Sequence, residues 1–195
     1  GTISRNASAS FRFLLVNTGG SLTLSNLTLS TGRSATGGGA IRVGGGSLTT
    51  AGVSFLSNIA LASGGAVLLD GTGTAQFTDT LFQGNQSFDS GGAVAIAANA
   101  NDVVVSRSRF IGNVAGTSGG ALGVTGFSML QVNDSLFAGN AATGAGAALS
   151  QTTGVLVVTG TTMAGNLGSA VELVGAQNTT FANSLIWGNS GGSFI

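Results

Sequence analysis

The sequence contains no cysteine, histidine, proline or tyrosine, and charged residues make up only 6% of its 195 positions. Without cysteine no disulfide can form, so cysteine usage says nothing about the compartment in which the chain works. Without histidine and cysteine, a zinc site of the usual ligand types and a Ser-His-Asp triad are both excluded. The sequence therefore predicts neither a cofactor nor a bound metal.

The few charges balance one another. All six basic residues are arginine, six carboxylates match them, and the formal net charge is zero. Proteins that bind nucleic acids normally display a patch of lysine and arginine, so no nucleic-acid partner is expected. No apolar run approaches the roughly 18 residues of a membrane-spanning helix, so this sequence is not expected to insert into a membrane.

A repeated motif dominates what is present. An aromatic residue is followed three positions later by asparagine and, six positions after that, by a pair of small residues, in FLSNIALASGGAV (55–67), FQGNQSFDSGGAV (82–94), FIGNVAGTSGGAL (110–122) and FAGNAATGAGAAL (137–149). The asparagines recur every 23 to 28 residues, at Asn58, Asn85, Asn113, Asn140, Asn166 and Asn189. A period in this range is typical of solenoid proteins.

Apolar residues around each copy alternate with the period of a β-strand, and no segment has a helical period. One strand follows the small pair, a second precedes the aromatic residue, and a short third contains it. About seven coils of 23–28 residues with three short strands each predict an all-β fold, a right-handed parallel β-helix solenoid. We expect residues 1–195 to form a single β-helix domain that is a segment of a longer solenoid, because neither end offers a sequence typical of a cap.

We interpret the asparagine column as an internal structural ladder, with a polar binding row as the alternative. An asparagine amide carries both donors and an acceptor, so stacked copies can bond to each other and to the main chain. Asparagine also tolerates the left-handed backbone conformation that a sharp corner uses. The glycine pairs are interpreted as structural corners that need a positive φ or close backbone approach: Gly38, Gly39, Gly64, Gly65, Gly91, Gly92, Gly119 and Gly120.

An outward-facing column contains Asp79, Arg107 and Asp134 on successive coils. This order predicts a vertical ion-pair ladder in which the cation lies between two anions. Hydrolysis of a glycosidic bond would need two carboxylates facing one cleft. Because Arg107 separates Asp79 from Asp134 and the other carboxylates fall in different loops, the sequence predicts no catalytic residues and no enzymatic activity.

The FxxN motif followed by GGA[ILV] in the four central copies resembles the repeat pair of the polymorphic outer membrane proteins, whose passenger domains are surface-exposed β-helices and adhesins. Residues 21–32, SLTLSNLTLSTG, are also similar to coils of large secreted bacterial β-helix proteins. The resemblance implies an extracellular or cell-surface rod with a structural or adhesive role. Its expected partners are proteins, through homotypic end-to-end or lateral contacts or as the rest of a longer chain.

A carbohydrate-binding or carbohydrate-cleaving β-helix is the alternative function, with surface glycans as partners. An exposed row of aromatic residues would favour it, and Phe88 and Phe127 lie in loops where they could contribute. Trp187 follows the core residue Ile186 and is the best single candidate for a contact. Ice binding is disfavoured, because the outward column that begins with Thr23 and Thr49 does not continue as a regular threonine array.

Overall fold

The fold is known from a computed structural model, which describes residues 1–6, 8–97, 102–126, 129–175 and 178–191. These residues form 27 β-strands arranged in four parallel sheets, and no helix occurs among them. Each strand pairs with its counterparts one coil before and one coil after it. The chain is therefore an all-β solenoid of about seven turns, and the predicted parallel β-helix is confirmed.

Two sheets carry the strands before and at the aromatic residue. Sheet 1 has seven strands: Ser21–Ser25, Ser47–Ala51, Thr74–Thr78, Val103–Ser106, Met129–Asn133, Val155–Thr159 and Thr179–Ala182. Sheet 2 contains the aromatic residue and has eight strands: Thr2–Ser4, Thr28–Ser30, Ser54–Leu56, Leu81–Gln83, Arg109–Ile111, Leu136–Ala138, Thr162–Ala164 and Leu185–Trp187.

The other two sheets follow the asparagine. Sheet 3 comes directly after it and has five two-residue strands: Arg33–Ser34, Ile59–Ala60, Gln86–Ser87, Val114–Ala115 and Ala141–Ala142. Sheet 4 follows the glycine pair in the repeats and has seven strands: Leu14–Asn17, Ile41–Gly44, Val67–Leu69, Val94–Ile96, Leu122–Val124, Leu149–Gln151 and Val171–Leu173.

Sheet 3 was not predicted, so five of the coils have four strands instead of three. Two residues are too few to show an alternating pattern, and the main-chain bonds to neighbouring coils define these strands. We call the residues between sheet 3 and the glycine pair the arm of a coil. The arms of the last coils are shorter, and only an isolated bridge between Ala141 and Leu167 continues sheet 3 there.

The register places equivalent side chains directly over one another. Phe82 pairs with Phe55 on one side and with Phe110 on the other. From Phe55 to Phe137, successive ring centroids are 4.8, 4.7 and 4.6 Å apart, and the rings are nearly parallel. This spacing follows from the separation of hydrogen-bonded strands, which is about 4.8 Å. The rings are completely buried and form one wall of the core.

The inward positions of sheets 1 and 4 supply the rest of the core, through buried valine, leucine and isoleucine side chains. The outward positions differ between sheets. No strand of sheet 1 contains a charged residue, so its outer face consists mainly of serine, threonine, glutamine and valine. The described residues contain no helix that is long and apolar enough to cross a membrane.

Candidate functional site

The asparagine column forms the predicted ladder in the interior of the coil. The side-chain nitrogen of Asn85 donates to Oδ1 of Asn113 (3.0 Å) and to the main-chain oxygen of Phe55 (3.0 Å). Oδ1 of Asn113 also accepts from the main-chain nitrogen of Asn85, at 3.0 Å. The same three bonds recur at Asn58, Asn113, Asn140 and Asn166.

Each ladder amide therefore connects three consecutive coils. Asn85 reaches back to Phe55 in the coil before and forward to Asn113 in the coil after. Both amide hydrogens have an acceptor and the oxygen has two donors, so the side chain is fully satisfied. Such satisfaction is required here, because the asparagines from Asn58 to Asn166 are completely buried.

The ladder begins at Asn58, because the previous position of the column holds glycine. The main-chain nitrogen of Gly32 donates to Oδ1 of Asn58, at 2.9 Å. A Cβ atom on Gly32 would lie 2.4 Å from the oxygen of Gly39 and 2.8 Å from the ring of Phe13. The ring of Phe13 and the main chain thus fill the place of another amide. At the other end, Asn189 accepts both bonds from Asn166 and donates to Met163, at 3.0 Å.

The corner at the ladder uses the left-handed conformation one residue earlier than expected. None of the six ladder asparagines has a positive φ; the residue before each of them does. These residues are Ser57, Gly84, Gly112, Gly139, Gly165 and Gly188, with φ from 52° to 64°. The asparagine is therefore used for its amide group, and the preceding residue provides the backbone freedom.

The two residues of each glycine pair serve different purposes. The first has a left-handed backbone, with φ of 62° to 71° at Gly38, Gly64, Gly91 and Gly119. The second allows close approach of main chains: a Cβ on Gly92 would lie 2.1 Å from the oxygen of Gly120. In the weakest copy Ala147 replaces this second glycine, at the point where the next coil has a shortened arm.

A second ladder, made of hydroxyl groups, was missed in the sequence. The hydroxyl of Ser108 accepts from the main-chain nitrogen of Thr80 (3.1 Å) and donates to the oxygen of Ser106 (2.9 Å). The pattern continues through Ser135, Thr161 and Ser184. These residues follow the outward corner column, where Asp79, Arg107 and Asp134 have φ of 48° to 51°. The column is hard to recognise as a polar one in the sequence, because Leu27 and Val53 occupy it in the earlier coils.

The predicted three-charge ladder is a two-charge pair. Arg107 donates from Nε and Nη2 to the two carboxylate oxygens of Asp79, each at 2.9 Å. The guanidinium directs this pair of donors at one carboxylate, and Arg107 makes no ion pair with Asp134 in the described part of the chain. These hydrogen bonds raise the pKa of Arg107 and lower the pKa of Asp79. Both side chains are more than half exposed.

Two further carboxylates, those of Asp70 and Asp89, hold neighbouring coils together. Asp70 accepts from Nε of Arg42 at 2.8 and 3.0 Å. Asp89, in an arm, accepts from Ser63 at 2.9 Å and from Thr117 at 3.2 Å, and so joins the arms of three coils. Over the described ranges, no group of three histidine, cysteine, aspartate or glutamate side chains could hold a metal ion.

A cleft of about 250 Å³ lies where the arms meet the outer face of sheet 4. Leu68, Ala95 and Gly123, at outward positions of this sheet, line it together with Ser90 of an arm and with Asp70. A Cβ on Gly123 would lie 2.7 Å from the main-chain nitrogen of Gly91, so the absence of a side chain lets the neighbouring main chain pack directly against the sheet here. The cleft thus has an apolar floor and one carboxylate.

The aromatic residues proposed for contacts lie apart from one another. Trp187 is 72% exposed at the end of the outer column of sheet 2, where Ala164 precedes it. Phe88 is 60% exposed and belongs to an arm, on a different side of the coil. Phe127 lies outside the described residues. Trp187 and Phe88 are therefore separate exposed aromatic side chains and do not form a row with each other.

No protein-family model matches the sequence, and neither a curated protein nor a solved structure shows a significant match to it.

Proposed function

We propose that the chain is an extracellular or cell-surface rod with a structural or adhesive role, and that it has no catalytic activity. One observation carries this proposal. The polar side chains that recur along the coils, the asparagines from Asn58 to Asn189 and the hydroxyl column from Thr80 to Ser184, point inward and bond one coil to the next. A repeat whose recurrent chemistry is used for stacking is suited to length and rigidity.

The outer face of sheet 2 is the surface that favours the proposed contacts with other proteins. The end of sheet 2 exposes Leu185 (56%) and Trp187 (72%) beside the small residues Ala138 and Ala164. Arg109 is the one charged residue in the described strands of sheet 2. Large exposed apolar side chains on such a surface favour association, and tryptophan is enriched among residues that dominate binding energy. We propose that this end of sheet 2 makes lateral contacts with a second copy of the protein, or contacts with the rest of a longer chain.

Carbohydrate binding is the second candidate, and the cleft beside sheet 4 is the observation that favours it. Its apolar floor and the hydroxyls of Ser63, Ser90 and Thr125 combine the two kinds of group that sugar rings contact. Cleavage is less well supported, because Asp70 is the one carboxylate among the described residues that line the cleft, and it is held by Arg42.

Analytical ultracentrifugation of the whole chain tests the rod proposal. We expect concentration-dependent association that is weakened by Trp187→Ser and unchanged by Leu61→Ser, a control on a different face where Leu61 is 41% exposed. A monomer at all concentrations that also fails to bind cell-surface material would contradict the adhesive role. Release of reducing ends from a polysaccharide would instead support the carbohydrate-cleaving alternative.

A further inference from the structure

The outer face of sheet 2 carries large apolar side chains that lie outside the core. They occupy outward positions on either side of the buried aromatic column: Leu56, Leu81, Ile111, Leu136, Leu185 and Trp187. All of them are half-buried or exposed, whereas serine and threonine are the commonest residues on the outer face of sheet 1. Apolar side chains grouped on a surface mark a site of contact with another molecule.

Arg109 lies among these apolar side chains. The pairing of its strand places Leu81 on one side of it and Leu136 on the other. Its side chain is exposed and forms no ion pair with any described residue. A molecule that covers the apolar face also removes water from this guanidinium, which is costly unless a carboxylate takes the place of the water. The face therefore favours a partner that presents a carboxylate beside apolar residues.

Asp134 gives a second copy of the chain this property. It comes two residues before Leu136, at the corner that leads into the strand Leu136–Ala138. Its side chain is exposed and, like that of Arg109, forms no ion pair with any described residue. Arg109 and Asp134 are one coil and two residues apart, which separates their Cα atoms by roughly 8 Å. The face thus carries an unpaired cation near an unpaired anion and is complementary to itself in charge.

We propose that two copies of the chain pack sheet 2 against sheet 2, with Arg109 of each copy bonded to Asp134 of the other. A two-fold axis that lies in the interface, midway between these two residues, exchanges them and forms both ion pairs at once. A guanidinium can donate two parallel hydrogen bonds to a carboxylate, so each pair also fixes the orientation of the copies. The proposal rests on the proposed self-association of the rod and assigns it a surface and a symmetry.

The size of the face sets the expected strength of this contact. Eight strands with three residues each give a face of about 34 Å by about 10 Å, or roughly 340 Å² on each copy. Stable interfaces bury about 800 Å² on each partner. We therefore expect a weak and reversible association that is populated at high protein concentration, in which the two ion pairs decide the orientation.

Reversal of the two charges, measured by sedimentation equilibrium of the whole chain, tests the proposal. Arg109→Glu and Asp134→Arg should each weaken self-association about tenfold or more, because like charges then face each other at both contacts. An equimolar mixture of the two variants should associate as the unmodified chain does, because a mixed pair again places one cation against one anion at each contact. Arg33→Glu makes the same change in net charge on sheet 3 and should leave the association unchanged.

A mixture that associates no better than either variant alone would overturn the interface, and so would an unmodified chain that stays monomeric at millimolar concentration. If Trp187→Ser weakens the association and the charge reversals do not, the rod still self-associates and the interface proposed here is wrong. Dilution of the unmodified chain, followed by ¹⁵N amide shifts, gives a readout that does not depend on the folding of any variant. We expect concentration-dependent shifts near Leu81, Arg109 and Leu136, and shifts confined to other sheets would contradict the proposal.

Discussion

The side-chain nitrogen of Asn113 donates to the side-chain oxygen of Asn140, 3.0 Å away and one coil further along the chain. The main-chain nitrogen of Asn113 donates to the same oxygen, also at 3.0 Å. One amide oxygen thus fixes both the backbone and the side chain of the neighbouring coil. Any shift of register by one residue would break both bonds, so the ladder specifies the alignment of the coils as well as stabilising them.

Asn113→Leu should be strongly destabilising. Leucine has the same branching of side-chain heavy atoms but leaves the main-chain nitrogen of Asn85, one hydrogen of its amide and the oxygen of Phe82 without these partners. Each unsatisfied buried group costs about 1–3 kcal/mol, so we expect a loss of about 3 kcal/mol or more in the free energy of unfolding. Chemical denaturation measures it.

Gln131→Leu is the matched control, because it replaces an amide on the outer face of sheet 1. We expect a change within about 0.5 kcal/mol for this half-exposed position. Equal denaturation midpoints for the two variants would remove the energetic role of the ladder.

Gly92→Ala should be far more harmful than Gly112→Ala. A Cβ on Gly92 would meet the main-chain oxygen of Gly120 at 2.1 Å, and a backbone atom cannot move without displacing a coil. Gly112 has a left-handed backbone but nothing within 4 Å of its Cβ position. We expect about 1–2 kcal/mol for Gly112→Ala, from backbone strain alone, and a larger loss for Gly92→Ala. Thermal unfolding of both variants is the measurement, and a reversed order would contradict the close approach.

Ser108→Ala tests the hydroxyl ladder. The substitution removes the acceptor for the buried main-chain nitrogen of Thr80 and should cost about 1–3 kcal/mol. Ser106→Ala changes the same kind of side chain at an outward position of sheet 1 and should have little effect. Amide hydrogen exchange at Thr80 gives a local readout, and unchanged protection in Ser108→Ala would show that the hydroxyl bond is not needed.

The ion pair of Asp79 predicts a pH dependence with a definite sign. Its hydrogen bonds to Arg107 lower the pKa of Asp79, so the pair contributes to stability above the ordinary pKa of aspartate. That contribution is lost as the pH falls through the lowered value. An NMR titration of the Asp79 carboxyl should give a midpoint below that of a free aspartate, and Arg107→Gln should raise it. Identical midpoints in the two proteins would mean that the pair does not persist in solution.

Much of this architecture is readable from the sequence, because a repeat places the same residue type at the same place in every coil. The spacing of Asn85 and Asn113 was enough to predict a buried ladder, and the alternation around it predicted three of the four sheets. Sheet 3 was missed since its two-residue strands are defined by bonds between coils. The hydroxyl column was missed because serine, threonine, leucine and valine share one position.

Features outside the repeat could not be predicted from spacing. Phe13 lies over the start of the asparagine column, and Arg12 reaches the hydroxyls of Ser34 and Thr36, although neither residue belongs to a repeated motif. The pairing of Arg107 with one neighbour instead of two depends on the orientation of a planar group, which the order of charges does not specify. Such contacts depend on side-chain direction as well as on position in the coil.

Scalar coupling across hydrogen bonds tests the stacking of coils most directly. In isotope-labelled protein, the main-chain nitrogen of Asn85 should couple to the side-chain carbonyl carbon of Asn113, and the nitrogen of Asn113 to the carbon of Asn140. These couplings require the two coils to be bonded at that point, and the side-chain amides should exchange slowly with water. Absent couplings together with fast amide exchange would contradict the ladder and the account of the fold that depends on it.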